Sequence, residues 1–315
     1  MRMTTFSTIV GALVPVFGLI LLGVGCGRID LLGARAYEVL NRFVIAVTMP
    51  VLTFHTLARM DPGDLARPAM ILAVLGGAFL TYALAYSVER IAGRTTAEAN
   101  IAGLASCFSN TGFVGLPVAL LAFGPASLAP GAVTMALYAS VVFGVAVLLS
   151  EMAAGDGGGV IAGFRRTGGA LVRSPLIMLA LLGIAWSIAR LPLSGPFDTM
   201  LATLAGATAP CALVAIGLFI ALPRQSAAPA PIARVVLLKL VGHPLATAGL
   251  IVLLPPMPPL WGTIAILMAA MPSGSTSFVL AGRAGQWAME LSAWAVLLTT
   301  SLAAVSLVTA LWLLH

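Results

Sequence analysis

The sequence predicts an all-α membrane protein with ten transmembrane helices, arranged as two five-helix repeats of opposite orientation. Three observations support this fold class. First, 60% of the 315 residues are hydrophobic and only 8% are charged, whereas a soluble domain carries about 25% charged residues. Second, the apolar runs are long enough for about ten spans of about 20 residues. Third, two polar interruptions lie at corresponding places in the two halves of the chain.

The helices follow from apolar runs that are bounded by charge, Pro or Gly. In the first repeat, residues 1–152, we predict helices at 6–26, 36–57, 68–92, 98–122 and 128–152. A Gly-rich, charged connection spans 153–173. In the second repeat, residues 174–315, we predict helices at 174–191, 198–222, 232–254, 260–282 and 288–314. The first run is long for the apolar core of a signal peptide, and many spans follow it, so we expect a membrane helix there.

The arginines of the connecting segments predict the orientation. One side of the membrane would carry Arg2, Arg59, Arg67 and Arg190, and the other would carry Arg28, Arg35, Arg42, Arg90, Arg94, Arg165, Arg166, Arg173, Arg224, Arg234 and Arg283. The richer side is expected to be cytoplasmic, which places the central connection inside and both termini outside. Because each half has an odd number of helices, the two halves would form an inverted repeat.

The first polar interruption lies within the predicted fourth helix and reads Ser-Asn-Thr-Gly-Phe-Val-Gly-Leu-Pro at 109–117. Gly112, Gly115 and Pro117 weaken or remove backbone hydrogen bonds. Asn110 and Thr111 bring polar atoms to a depth where lipid offers no partner. The segment is therefore expected to break the helix and to face protein, water or a ligand.

The second interruption lies within the predicted ninth helix and contains Pro272, Ser273, Gly274, Ser275, Thr276 and Ser277. Asn-Thr-Gly-Phe-Val at 110–114 aligns with Ser-Thr-Ser-Phe-Val at 275–279, an offset of 165. Pro50 and Pro210, in the second and seventh predicted helices, align at an offset of 160 and are expected mainly to shape those helices. Paired breaks of this kind are typical of a transporter's substrate site.

A broken helix exposes N–H groups at one half-helix and C=O groups at the other, so anions can bind at the N–H ends. The expected substrate-binding residues are Asn110, Thr111, Gly112, Ser273, Ser275, Thr276 and Ser277, with Gly115, Pro117, Pro272 and Gly274 shaping the breaks. An alternative remains that the Ser and Thr side chains only satisfy the kinked backbone or helix–helix contacts.

Few charges are predicted within the membrane. No Asp or Glu is expected in the middle of a span, which disfavours a sodium/proton antiporter built on buried carboxylates. Lys239 and His243 lie four residues apart and share a helix face. Lys239 either reaches the cytoplasmic surface or compensates the substrate charge. His243 is either a proton-coupling group or an interior histidine with satisfied hydrogen bonds.

The sequence contains no motif that indicates another class of function. We find no His-Glu-x-x-His, Gly-x-Ser-x-Gly or P-loop motif, so no enzyme activity and no cofactor are expected. The three cysteines lack metal-type spacing, and we expect no metal site. The net charge is +6, but the basic residues are scattered rather than gathered in a patch, so no nucleic-acid partner is expected.

Several segments together resemble the auxin efflux carrier family in its bacterial branch. They are the motif at 109–117, Met-Pro at 271–272, Thr-Met-Pro at 48–50 and Leu-Lys-Leu-Val-Gly-His-Pro at 238–244. The resemblance implies a fold similar to bile-acid symporters and sodium/proton antiporters, in which the fourth and ninth helices cross. Helices one, two, six and seven would form a scaffold, and helices three to five with eight to ten would form a mobile transport unit.

The resemblance also implies elevator-type transport of small organic anions, such as malonate, malate or auxin-like acids, across a bacterial inner membrane. Thr276 departs from the family, since many relatives have Asn in this break. Alternatives are a sodium-coupled symporter of bulkier amphipathic acids and a membrane receptor that transports nothing. The expected partners are the anion and the lipid bilayer, while a proton or sodium ion for coupling and a homodimer are left open.

Overall fold

The computed structural model describes residues 2–33, 35–65, 67–153, 175–222, 228–274, 276–282 and 284–314. Within these ranges the secondary structure is helical, apart from one isolated β-bridge between Ser109 and Ser273. Together with the apolar character of the helices, this confirms the prediction of an all-α membrane protein.

The helices of the first half are α1 (Arg2–Arg28), α2 (Ala36–Leu57), α3 (Pro68–Ile91), α4 (Thr96–Cys107), α5 (Thr111–Phe123) and α6. Helix α6 consists of Leu128–Leu137, a π-helical turn at Tyr138–Val142, and Phe143–Ala153. The second half contains α7 (Pro175–Ile188), α8 (Gly195–Ala221), α9 (Pro229–Leu253), α10 (Pro259–Ala270), α11 (Thr276–Ala281) and α12 (Gln286–Leu314).

Four helices of the described ranges are long and apolar enough to cross a membrane, namely α2, α3, α8 and α9. Their bounds lie within three residues of the predicted ones. The predicted fourth and ninth helices are each divided into two, α4 with α5 and α10 with α11. These four helices are shorter than the predicted spans because the chain leaves the helical conformation at the polar interruptions.

Glycines allow two close helix crossings, of α1 with α8 and of α2 with α7. A Cβ atom at Gly23 would overlap the carbonyl oxygen of Val214, and one at Gly183 would lie 2.9 Å from the carbonyl oxygen of Phe54. The two glycines are 160 residues apart, and so are Phe54 and Val214. Because the nearest atoms are backbone, neither crossing can easily accommodate a side chain.

Gly217→Ala tests the first of these crossings. A Cβ atom there would lie 2.7 Å from both Gly23 Cα and Val24 N. We therefore expect the free energy of unfolding to fall by about 1–3 kcal/mol, measured as a lower thermal midpoint in detergent. Gly25→Ala is the matched control, because nothing lies within 4 Å of its added Cβ. Equal midpoints for the two variants would contradict the close crossing.

An ion pair between a buried carboxylate, Glu89, and a partly exposed arginine, Arg234, joins α3 to α9. Glu89 is only 2% exposed, and its Oε1 accepts hydrogen bonds from Arg234 Nε at 2.9 Å and Nη2 at 2.6 Å. The other carboxylate oxygen of Glu89 is buried without a hydrogen-bond partner. Much of the stability of this buried carboxylate therefore depends on one arginine.

A polar network joins α3, α4 and α6. The Tyr82 hydroxyl donates to Asn100 Oδ1, and Asn100 Nδ2 donates to the Ala146 carbonyl at 2.8 Å and to Ser150 Oγ at 2.7 Å. Asn100 is fully buried, and these bonds use its oxygen and its amide group. The network ties the N-terminal half of α4 to α3 and α6.

Candidate functional site

The two breaks meet as short antiparallel segments. After α4 the chain becomes extended at Phe108, and after α10 it becomes extended at Met271. The Asn110 N–H donates to the Pro272 carbonyl, and the Gly274 N–H donates to the Phe108 carbonyl, both at 2.8 Å. The two extended segments thus form backbone hydrogen bonds with each other, which replace some of those lost where the helices break.

The side chains at this crossing repeat the same symmetry. Ser109 Oγ donates to the Ala269 carbonyl at 3.4 Å, and Ser273 Oγ donates to the Ala105 carbonyl at 2.7 Å. Each contact maps onto its counterpart through an offset of 164 residues. The helices that follow, α5 at Thr111 and α11 at Thr276, begin 165 residues apart. The bridge pairs Ser109 with Ser273 at an offset of 164, whereas the starts of the two helices keep the offset of 165 of the sequence alignment.

Asn110 combines a structural contact with an unused donor. Its Oδ1 accepts from the Phe113 N–H at 3.2 Å and so caps the start of α5. The residue is 6% exposed, and its Nδ2 is buried without a hydrogen-bond partner. An unpaired buried amide costs about 1–3 kcal/mol. The Asn110 amide is therefore a donor available to an acceptor at the crossing, such as an anion.

Lys239 is fully buried, which contradicts the alternative that it reaches the cytoplasmic surface. It is the only lysine in the sequence. Its Nζ lies 2.7 Å from both Ser109 Oγ and the Ala269 carbonyl oxygen, and 2.9 Å from His243 Nδ1. The π-helical turn Leu238–Gly242 carries Lys239, and the polar end of the side chain reaches the crossing rather than the surface.

His243 is also buried and continues this network. Its Nε2 lies 2.8 Å from the Tyr138 hydroxyl, at the start of the π-helical turn of α6. A continuous chain of hydrogen bonds therefore runs from Ser109 through Lys239 and His243 to Tyr138.

The other residues expected in the second break are mostly engaged within the protein. The Ser273 N–H donates to Thr299 Oγ1 of α12 at 3.0 Å. Ser277 Oγ lies 2.9 Å from the Gly274 carbonyl oxygen and 2.7 Å from Ser292 Oγ. Thr276 is partly buried at the start of α11, and Ser275 lies outside the described residues. For Ser277, these bonds support the alternative that the side chain only satisfies the kinked backbone and helix–helix contacts.

Glycines and a proline shape the first break. A Cβ at Gly112 would overlap Met49 of α2, and one at Gly115 would lie 2.6 Å from Met268 Sδ of α10. Thr111 is buried, and Pro117 follows the π-helical turn Thr111–Gly115. Glycine at both positions lets the two methionine side chains pack directly against the backbone of the break, and a Cβ at either position would have to displace a methionine.

In the second break, Pro272 contributes its carbonyl to the bridge, and a Cβ at Gly274 would lie 2.8 Å from the Phe108 ring. Pro50 is buried and follows the π-helical turn Val44–Thr48. Pro210 is exposed and lies within the continuous helix α8. The two prolines that align in sequence therefore have different surroundings.

Tyr138 and Thr299 complete the site, although no sequence motif indicated them. Tyr138 is 105 residues from its partner His243, and Thr299 is 26 residues from Ser273. Among the described residues there is no group of three or more His, Cys, Asp or Glu that could hold a metal ion.

The crossing has two electrostatic sides. Carbonyl groups near the C-terminal ends of α4 and α10 form a partially negative side, and Lys239 bonds to one of them, the Ala269 carbonyl. The start of α5, with the unused Asn110 amide, forms a partially positive side. The arrangement can accept a cation on the first side and an anion on the second.

Comparison with known proteins identifies the class of this molecule. Residues 8–154 and 167–313 match the family described as "Membrane transport protein". The chain belongs to this family. The resemblance to the auxin efflux carriers is thereby confirmed, and the protein is a membrane transporter rather than an enzyme.

Two relatives are similar along most of their length. A Rhizobium meliloti (strain 1021) protein named "Putative malonate transporter" is 31% identical over 309 residues, covering 97% of this chain and 95% of the relative. An "Uncharacterized transporter" from Methanothermobacter thermautotrophicus is 29% identical over 271 residues, covering 84% of each protein.

Proposed function

We propose that this membrane transport protein is a secondary carrier of small carboxylates such as malonate, with the anion bound where the two breaks cross. The observation that carries this proposal is the Asn110 amide, which is buried and unpaired at the start of α5. A carboxylate would accept from this amide, and the partial positive charge at the start of α5 favours negative charge there. The name of the Rhizobium relative supports the same substrate class.

An inverted repeat of ten transmembrane helices is part of the proposal, with repeats at 1–152 and 174–315. The paired glycine crossings support it, since Gly23 with Val214 and Phe54 with Gly183 are related by an offset of 160. The paired contacts of the breaks support it with an offset of 164. Two independent sets of contacts thus obey nearly the same relation between the halves.

The contacts between the helices support elevator movement as part of the proposal. Polar contacts hold α3 to α9, α3 to α4, α4 to α6, and the second break to α12. All of these helices belong to the proposed transport unit. Helices α1, α2, α7 and α8 would form the scaffold, which meets the unit through apolar contacts such as Met49 against Gly112. An apolar boundary of this kind would allow one unit to slide past the other.

The orientation belongs to the same proposal. The arginine-rich side would face the cytoplasm of a bacterial cell, with both termini in the periplasm. Alternating access would then expose the crossing first to one side of the inner membrane and then to the other.

Uptake of labelled malonate into proteoliposomes tests this function. We expect the wild type to accumulate label, and both Asn110→Ala and Thr276→Ala to lower the initial rate, by about tenfold for Asn110→Ala because a charge-assisted hydrogen bond is lost. Thr309→Ala is the control, since its exposed hydroxyl bonds only to the Val305 carbonyl of its own helix. Uptake that neither Asn110→Ala nor Thr276→Ala diminishes would contradict the assigned site.

A further inference from the structure

We infer that Lys239 takes up one proton when the carrier binds its carboxylate substrate. The resulting ammonium group supplies the positive charge at the crossing that a bound sodium ion would otherwise supply. This inference rests on the proposed function, because it concerns the same crossing. It is carried by the position of Nζ between Ser109 Oγ, the Ala269 carbonyl and His243 Nδ1.

The ammonium position coincides with the negative side of the crossing. The Ala269 carbonyl lies in the last turn of α10, where helix carbonyls lack intrahelical partners and carry partial negative charge. Such a position favours a cation, and Lys239 supplies one from within the protein. A separate sodium ion would compete with Nζ for the same oxygen atoms, so the carrier has no need of it.

The charge of a protonated Lys239 has no carboxylate to balance it. The three atoms that bond to Nζ are uncharged when His243 is neutral. An unbalanced cation in the protein interior is unfavourable. A carboxylate at the neighbouring Asn110 would supply the missing negative charge, so anion binding and proton uptake should favour each other.

The other titratable groups on the surrounding helices are engaged elsewhere. Cys107 Sγ donates to the Leu104 carbonyl, Tyr82 donates to Asn100, Glu89 is paired with Arg234, and Glu290 accepts from Gln286. Helix α10 carries no titratable side chain. Among the described residues, Lys239 and its hydrogen-bonded neighbours His243 and Tyr138 are therefore the groups placed to respond to the anion.

The hydrogen-bond chain is complete in either protonation state of Lys239. In the ammonium state, Nζ donates to Ser109, Ala269 and His243 Nδ1, and His243 Nε2–H donates to the Tyr138 oxygen. In the amine state, Nζ keeps two donors for Ser109 and Ala269, and its lone pair accepts from His243 Nδ1–H. Tyr138 then donates to Nε2. The change of histidine tautomer lets the buried network hold or release a proton without losing a bond.

The proton balance is simple. One H⁺ leaves the solution, the amine of Lys239 becomes an ammonium group, and no covalent bond to the substrate forms. Since the bound state holds one proton more than the free state, the dissociation constant for malonate should rise by about tenfold for each pH unit over the interval in which Lys239 is deprotonated in the free carrier and protonated in the bound carrier. The carrier would move one proton together with each anion.

Proton uptake on binding tests this directly. Purified protein is mixed with choline malonate in weakly buffered detergent at about pH 8, where malonate itself is fully ionised. A pH indicator measures proton uptake, and thermal stabilisation of the protein measures binding. We expect about one proton per bound malonate and no effect of replacing choline by sodium. Binding without proton uptake, or binding that requires sodium, overturns the inference and leaves the proposed function intact. Absence of malonate binding overturns both.

Two substitutions distinguish the effect of a positive charge at position 239 from the effect of its protonation. Lys239→Arg keeps a permanent cation, so malonate should bind with a dissociation constant independent of pH and without proton uptake. Lys239→Met removes the charge at similar length, and we expect at least about tenfold weaker binding. Thr247→Val is the control on α9, because the Thr247 hydroxyl bonds only to the His243 carbonyl. If Lys239→Arg does not fold, the wild-type stoichiometry decides alone. Proton uptake by a folded Lys239→Met protein contradicts the inference.

Discussion

Asn110→Asp is expected to lower malonate affinity at least about 100-fold while the protein remains folded. The substitution keeps the shape of the side chain and the oxygen that accepts from the Phe113 N–H. It replaces the unpaired Nδ2 donor by a second oxygen, which repels a carboxylate instead of binding it. Affinity is measured by titrating malonate against the thermal midpoint, since a ligand of the native state raises its apparent stability.

Asn100→Ala is the control, because it should lower the stability of the protein without changing its affinity for malonate. Asn100 is as buried as Asn110, but Tyr82, Ala146 and Ser150 satisfy its polar atoms. Its loss should lower the thermal midpoint and leave the malonate affinity of the folded protein within about twofold, less than 0.5 kcal/mol. If Asn110→Asp bound malonate like the wild type, the anion could not be held by the Asn110 amide.

Arg234→Ala is expected to lower the free energy of unfolding by about 3 kcal/mol. The substitution removes both hydrogen bonds to Glu89 Oε1 and leaves a buried carboxylate without a cation. The pair joins α3 to α9, so its loss should loosen the contact between these two helices. Chemical or thermal unfolding in detergent, followed by tryptophan fluorescence, measures the change.

Glu89→Gln should partly restore the stability of Arg234→Ala, because a neutral amide is cheaper to bury than an unpaired carboxylate. Arg94→Ala is the matched control. Arg94 lies 4.0 Å from Glu98, whose side chain is 18% exposed and so remains in contact with water, and this long contact should contribute less than about 1 kcal/mol. An Arg234→Ala protein as stable as Arg94→Ala would show that Glu89 is not held by this arginine.

The breaks could be predicted from sequence because the membrane makes polar residues conspicuous. Asn110, Gly112 and Pro117 interrupt an apolar run, and lipid offers no substitute for the backbone bonds that they weaken. The helix bounds were predictable for the same reason, since α2, α3, α8 and α9 are continuous apolar segments. The alignment of the breaks at an offset of 165 matches the starts of α5 and α11. The backbone bridge just before them pairs Ser109 with Ser273, at an offset of 164.

The partners of Lys239 could not be predicted from sequence. Lys239 lies about two turns into the predicted helix 232–254, from where a long side chain can still reach the surface. Only the crossing brings Ser109 and Ala269 within reach of Nζ. Tyr138 gave no signal either, because its partner His243 lies on a distant helix. Glu89, three residues from the end of an apolar run, looks like a solvated helix end until α9 packs over it.

The central claim is that the carboxylate lies at the crossing beside Asn110. Solid-state NMR can measure the distance from a ¹³C-labelled malonate carboxyl carbon to ¹⁵N-labelled asparagine side chains, of which the chain has three: Asn41, Asn100 and Asn110. We predict one close distance of about 4 Å, which disappears in Asn110→Asp. Bound malonate with no asparagine side chain within about 6 Å, twice a hydrogen-bond length, would contradict the account.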